Sequence, residues 1–425
     1  MIKRILYLLY INFPFILILL AMAFLNTGCA SGSNINEDSP SKFKIVTNDL
    51  LKIKQEPINF PILGKAIKEA TSILNLEITS YPIKKYNHVA ILEEDKTTNI
   101  IELIGLRGNK NKKEPLKVYK VKLDEKNKKI ISEELIFVTK NNKRATDVLV
   151  TNDNKILVSH VITDHRNYMS LEVLNIVKKN EGEGYLGEVI YKTDFNEPPV
   201  DLVESGGKMV QYDNNNILLT VGCFQKGHKV VSDEFDAGKI LLINYKNINT
   251  KKRIFTKGHR NVQGLTYSIS DNRFFGTDHG PQGGDEINIL QQSNHYGWPH
   301  VTYGAPYSKD PSYEIYADVG GAYFGNHDNE KFTKPIYAFI PSIGIKAIEQ
   351  LPINQYEFPQ WKNDFLICSQ KGMYRIRIRY MNNVAQLQFA ERVWGECRDL
   401  TISSDGVVIT NKFEVITRHK NPYKG

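Results

Sequence analysis

Along most of this chain the apolar positions do not recur with a helical spacing; they come in short runs broken by Asn, Asp, Gly and Ser. From about Tyr86 onward one device repeats, an apolar run, a polar turn and a second apolar run that ends in small residues. It is clearest over 145–160 around Asn152-Asp153-Asn154, 208–222 around Asp213-Asn214-Asn215, 264–280 around Ser270-Asp271-Asn272, and 398–411 around Ser404-Asp405-Gly406. Fainter copies cover 87–103, turning at Glu94-Asp95-Lys96, and 345–369, turning near Trp361-Lys362-Asn363. Asn, Asp and Gly tolerate the backbone that a tight strand reversal requires, so each copy predicts a β-hairpin.

Asp95, Asp153, Asn214 and Asp271 lie 58, 61 and 57 residues apart, a period too long for a solenoid and suited to a four-stranded blade with one long loop. The 134 residues from Asp271 to Asp405 hold two periods plus an insertion, which the Gly-, Tyr- and Asp-rich stretch 291–334 supplies. The prediction is an all-β chain, a six-bladed β-propeller over 81–425. A pair of β-sandwiches would also use short strands but would not keep a near-constant period. Helical periodicity is confined to 62–76, which predicts a short helical or irregular segment over 46–80 packed outside the ring. Sites in a propeller belong at the central channel, on the loops beside the innermost strands.

The N-terminus changes the picture by adding an address. Lys3 and Arg4 precede an apolar stretch, 5–25, and small residues ending at Cys29, which reads as an export signal over 1–28. Thr27-Gly28-Cys29 resembles a lipobox, and the polar 29–45 reads as a tether, so the protein is expected at the cell envelope as a membrane-anchored lipoprotein, periplasmic or otherwise exported. An uncleaved apolar anchor is the alternative. Composition adds little beyond a globular body: 41% hydrophobic, 24% charged, and a net charge of +8 spread along the chain without an aromatic-interleaved basic stripe, which speaks against nucleic acid as a partner. Beyond Cys29 stand Cys223, Cys368 and Cys397, which allow at most one bridge; three buried cysteines without a bridge is the expectation.

The candidate chemistry gathers in three blocks: Gly258-His259-Arg260-Asn261-Val262-Gln263-Gly264-Leu265, then Asp278-His279-Gly280-Pro281-Gln282-Gly283-Gly284-Asp285-Glu286-Ile287-Asn288, then Tyr296-Gly297-Trp298-Pro299. Gly-Pro followed by Gly-Gly makes a tight loop with carbonyls freed beside carboxylates, which is material for Ca²⁺. A structural turn with an acidic pair at the surface reads equally well from the residues alone. His228 and His279 read as satisfied loop histidines.

These blocks, in this order and spacing, resemble the signature of the PQQ-dependent glucose/sorbosone (aldose sugar) dehydrogenases, with His295 where the third block of that family has Asn. Further similarity runs through Gly238-Lys239-Ile240-Leu241, Pro341-Ser342-Ile343, 358–372 and Arg398-Asp399, roughly 206–410 in all. The resemblance implies PQQ over the central channel, a Ca²⁺ on the carbonyls of Gly280 and Pro281, and a second, structural Ca²⁺ at Glu286 and Tyr296. It implies that Arg260 and Asn261 meet the quinone side of PQQ, and that Lys371 and Arg398 hold its carboxylates. The chemistry implied is hydride transfer from a sugar or related polyol to the quinone, with electrons passed to an acceptor the sequence does not name. Two positions depart from the pattern. Glu204, in Glu204-Ser205-Gly206-Gly207-Lys208, stands where the family carries its general-base histidine, and Glu396 stands where it carries an arginine. Glu204 and Arg260 are the expected catalytic residues. A calcium-stabilised propeller that binds a carbohydrate or protein without catalysis is the other reading.

Overall fold

The computed structural model describes residues 76–418 apart from 82, 109–114, 127, 140–143, 180–183, 198–201 and 306–331. The expected signal, tether and helix before residue 76 lie outside the described residues, as does most of the insertion. Six four-stranded antiparallel sheets make up the fold. Their first strands are His88–Asp95, Arg144–Val150, Gly206–Gln211, Val262–Ser268, Ile345–Gln350 and Leu400–Ile402. Each of these packs against the next in cyclic order, and the sixth returns to the first, which closes a six-bladed propeller around a central axis.

Five of the predicted hairpin turns fall between the first and second strands of a blade, and the sixth, at Glu94-Asp95-Lys96, overlaps the end of His88–Asp95 just before that reversal. Asn99, Asn154, Asn272, Asn363 and Gly406 adopt the left-handed backbone in five of them. In the remaining one Asp213 accepts the backbone N–H of Asn215 and Asn216, both at 2.8 Å, an Asx turn. The strands that follow are apolar on both faces because each blade is sandwiched between two others: Leu157, Val161, Leu171 and Val173 of the second blade bury against Ile217, Leu219, Val221 and Leu241 of the third. The insertion leaves the fourth blade between Asp285–Leu290 and Tyr337–Phe339, so it lengthens one connection without disturbing the ring.

The expected boundary at 81 is too late. Leu76–Ser80 is a strand that pairs antiparallel with Glu414–Arg418, in register from Leu76 opposite Arg418 to Ser80 opposite Glu414. The sixth blade therefore takes three strands from the C-terminal end and one from the N-terminal side, and main-chain hydrogen bonds hold the ring shut. Among the described residues no helix is long and apolar enough to cross a membrane.

Candidate active site

The fourth blade builds the centre of the site. At the end of its second strand Asp278 accepts the backbone N–H of Arg260 at 3.2 Å with one oxygen and that of Asn261 at 2.7 Å with the other. Asp285 accepts Gly280 N–H at 3.2 Å, and its second oxygen accepts Ile343 and Ile345 N–H at 3.0 and 2.9 Å. Both carboxylates are buried. The surface acidic pair is thus corrected: each aspartate is a strut that fixes one loop against another. The turn itself needs glycine, since a Cβ on Gly280 would lie 1.9 Å from the carbonyl oxygen of Gly284.

Arg260 and Glu204 meet as a buried ion pair, with one guanidinium nitrogen on Oε1 of Glu204. The other terminal nitrogen donates to the carbonyls of His279 at 2.8 Å and Gly280 at 3.1 Å, and the Trp298 ring lies 5.6 Å from the guanidinium carbon. Oε2 of Glu204 accepts from the Cys223 thiol at 2.8 Å, a contact the sequence did not signal. Asn261 is fully buried. Its Oδ1 accepts from Gly206 N–H and from the Gln263 amide, at 3.2 and 2.8 Å, and its Nδ2 donates to Val203 O at 3.0 Å. It ties the segment carrying Glu204 to the fourth blade, so here Asn261 positions the acid.

Gly280, Pro281, Glu286 and Tyr296 line one small recess, which Arg260 shares. Burial, reinforced by the charge of Asp278, pushes the Glu286 carboxyl up to about 8. A carboxylate desolvated in this way, with Asn288 Nδ2 at 3.2 Å as its hydrogen-bond donor among the described residues, is a fit for a hard cation. The Gly280 carbonyl, by contrast, already accepts from Arg260. A group whose folded pKa is raised favours the folded state below its unfolded value, and that advantage is lost as pH rises to the folded pKa. Glu286→Gln is therefore expected to raise the unfolding midpoint by several degrees in EDTA near pH 8 while abolishing stabilisation by millimolar Ca²⁺, read by thermal melts in both buffers. His279 Nδ1 lies 3.7 Å from Asp285 Oδ1 without a hydrogen bond, and burial lowers the ring's pKa to about 4.

Arg398 and Lys371 come to the same rim from the sixth and fifth blades. Lys371 N–H donates to Ile343 O at 3.2 Å, on the loop that Asp285 fixes to Gly280. Arg398 precedes Asp399, and its charge helps to lower the pKa of buried His88. Its guanidinium is half-buried, and among the described residues it has no hydrogen-bonding or ion-pair partner. A desolvated guanidinium without an acceptor fits an anionic ligand. Glu396 points away and pairs with Lys412 at 3.2 Å, so it does not oppose that charge at close range.

The expectation of three unbridged cysteines fails for two of them. Cys368 and Cys397 form a disulfide with Cα atoms 5.0 Å apart, joining the strand before Lys371 to the residue before Arg398. The bridge closes a loop with a separation of 29 residues, and its removal in Cys368→Ser/Cys397→Ser is expected to lower stability by about 3 kcal/mol in urea unfolding under non-reducing conditions.

Below the rim lies a cluster the sequence did not announce. Lys208 Nζ donates to Asp147 Oδ1 at 2.7 Å and to Asp399 Oδ1 at 2.6 Å, and His88 Nδ1 lies 3.1 Å from Asp399 Oδ2. Four blades thus send one buried polar side chain each to the axis. The same two aspartates take the backbone N–H of Met209 and Val89 on the neighbouring first strands, at 2.8 and 3.2 Å, so they staple blade to blade.

Comparison with known proteins agrees with this architecture. The chain is 31% identical over 126 residues to the aldose sugar dehydrogenase YliI of Escherichia coli strain K12, covering 30% of this chain and 31% of that protein. It is 26% identical over 227 residues to quinoprotein glucose dehydrogenase B of Acinetobacter calcoaceticus, covering 45% of this chain and 44% of that one. The matched stretches therefore span less than half the length of these curated relatives. The apo-form structure of the soluble aldose sugar dehydrogenase of Escherichia coli superposes with a TM-score of 0.59 at 16% identity, over 80% of this chain and 99% of that one, a likeness of fold. Residues 145–414, which hold the Glu204–Arg260 pair, the Gly280 turn and both rim cations, match the family described as Glucose / Sorbosone dehydrogenase, and the chain belongs to that family.

Proposed function

We propose that this chain is a PQQ-dependent dehydrogenase that oxidises an aldose sugar or related polyol outside the cytoplasm, with a calcium ion held at Glu286 and Tyr296. PQQ, when bound, is the group that accepts hydride. The observation that carries the reading is the half-buried, unpartnered guanidinium of Arg398, brought with Lys371 to the rim that also holds Glu204 and Arg260. Arg398 and Lys371 would bind the carboxylates of PQQ, the first by paired hydrogen bonds and the second as a point charge. Arg260 directs a fixed positive charge at the same rim. Glu204 is the proton acceptor, a buried carboxylate that Arg260 and Cys223 hold at the rim. Anchoring at the membrane through the N-terminus belongs to the same proposal.

The test is to titrate the purified protein with PQQ and Ca²⁺ by absorbance and to assay dye reduction with a panel of aldoses. A spectral change with turnover is expected. Glu204→Gln should lose turnover at least a hundredfold with PQQ affinity kept, and Glu204→His should retain it. No spectral change at saturating PQQ would leave the binding propeller.

A further inference from the structure

The Arg260 guanidinium bonds to oxygens of the kind that hold a divalent cation, Oε1 of Glu204 and the carbonyls of His279 and Gly280. Both partners of the ion pair are buried, and both are anchored through the chain. Cys223 N–H donates to Arg260 O at 2.8 Å and Phe224 N–H donates to Glu204 O at 3.1 Å. Gly222, just before them, has no room for a side chain, since a Cβ would lie 2.0 Å from the Glu204 carbonyl. The guanidinium therefore sits in a built seat. A calcium ion on the Gly280 carbonyl, at roughly 2.3–2.6 Å, would face a guanidinium already bonded to that oxygen, and the two cations repel at short range in a site with little water. The carboxylate at 204 supplies a negative charge to the seat and ion-pairs with the buried guanidinium.

We propose that the Glu204–Arg260 pair stands in for the divalent cation at the Gly280 turn. The guanidinium is the resident positive charge there, and the turn admits Ca²⁺ only when Arg260 is removed, through the oxygens of Glu204, His279 and Gly280 that the guanidinium now covers. The inference concerns the seat and not the quinone, so it stands whether or not PQQ binds.

Calorimetric titration of Ca²⁺ into the full chain, without PQQ, tests it. Glu286→Gln silences the other cation position and is used as the background. On that background the protein with Arg260 intact is expected to take up no Ca²⁺ to millimolar concentration, Arg260→Met is expected to gain one site and a Ca²⁺-dependent rise in unfolding temperature, and adding Glu204→Gln is expected to abolish both. Arg260→Lys keeps a cation against Glu204 and is expected to stay silent, so the proposal remains testable if Arg260→Met does not fold. Ca²⁺ uptake with Arg260 intact or in the Arg260→Lys protein, or none in a folded Arg260→Met protein, would overturn it. Either failure leaves the cofactor reading untouched, since no quinone enters the measurement.

Discussion

Lys208→Met is expected to lower the free energy of unfolding by about 3–5 kcal/mol at pH 7, among the largest single-residue effects on stability in the molecule. The ammonium bridges two buried carboxylates, so its loss leaves Asp147 and Asp399 facing each other in a desolvated channel beside His88. The pH dependence follows from how these acids stand now. Burial lifts Asp147 to about 6 despite Lys208, whereas for Asp399 burial is outweighed by Lys208 and His88, which hold it down at about 2. Asp399 thus contributes stability above its unfolded pKa that is lost as pH falls toward 2, and Asp147 costs stability as pH rises from its unfolded value through 6. Without Lys208 both acids are pushed up, so the variant's deficit should shrink as pH falls from 7 to 5 and both protonate. Adding Asp147→Asn and Asp399→Asn should recover more than half of the loss. Urea unfolding at the two pH values measures this, and a Lys208→Met protein within 1 kcal/mol of wild type would show that the axial charges are not coupled.

That cluster also marks where sequence reasoning stops. The hairpins were legible because their signal is local: an Asp or Asn at a turn between apolar runs says the same thing wherever it stands. Their spacing then carried the ring, and the insertion showed as the one interval that was too long. His88 and Asp399 meet across 311 residues, and each sits at a blade's first strand where it reads as a polar interruption. Nothing near Lys208 says that its partners lie on the second and sixth blades. The closing strand at Leu76–Ser80 was missed for the same reason, since its partner is Glu414–Arg418. The contiguous family motif did signal that Arg260, Gly280 and Glu286 share one recess. Partners from elsewhere in the chain were not legible: Asn261 bonds to the Glu204 segment, and Cys368 finds Cys397 across a blade boundary, against the expectation of unbridged cysteines.

The two rim cations are expected to differ sharply in their hold on the cofactor. Arg398→Gln should weaken PQQ binding about 100-fold, because a half-buried guanidinium with no hydrogen-bonding partner among the described residues has its desolvation already met and gains a full charge-assisted contact from an anion. Lys371 is exposed, with its ammonium in water, so Lys371→Gln should cost less than about tenfold. Salt separates them further. The Lys371 contribution should fade as ionic strength rises past the point where the Debye length falls below about 5 Å, while the Arg398 contribution persists. Absorbance titrations with PQQ at low and high salt, with unfolding midpoints as the control for folding, read both effects. Equal losses at the two positions would mean that burial does not set their strength. No loss at Arg398 would mean that the quinone's carboxylates, and with them the substrate, approach the ring from a different side of the axis.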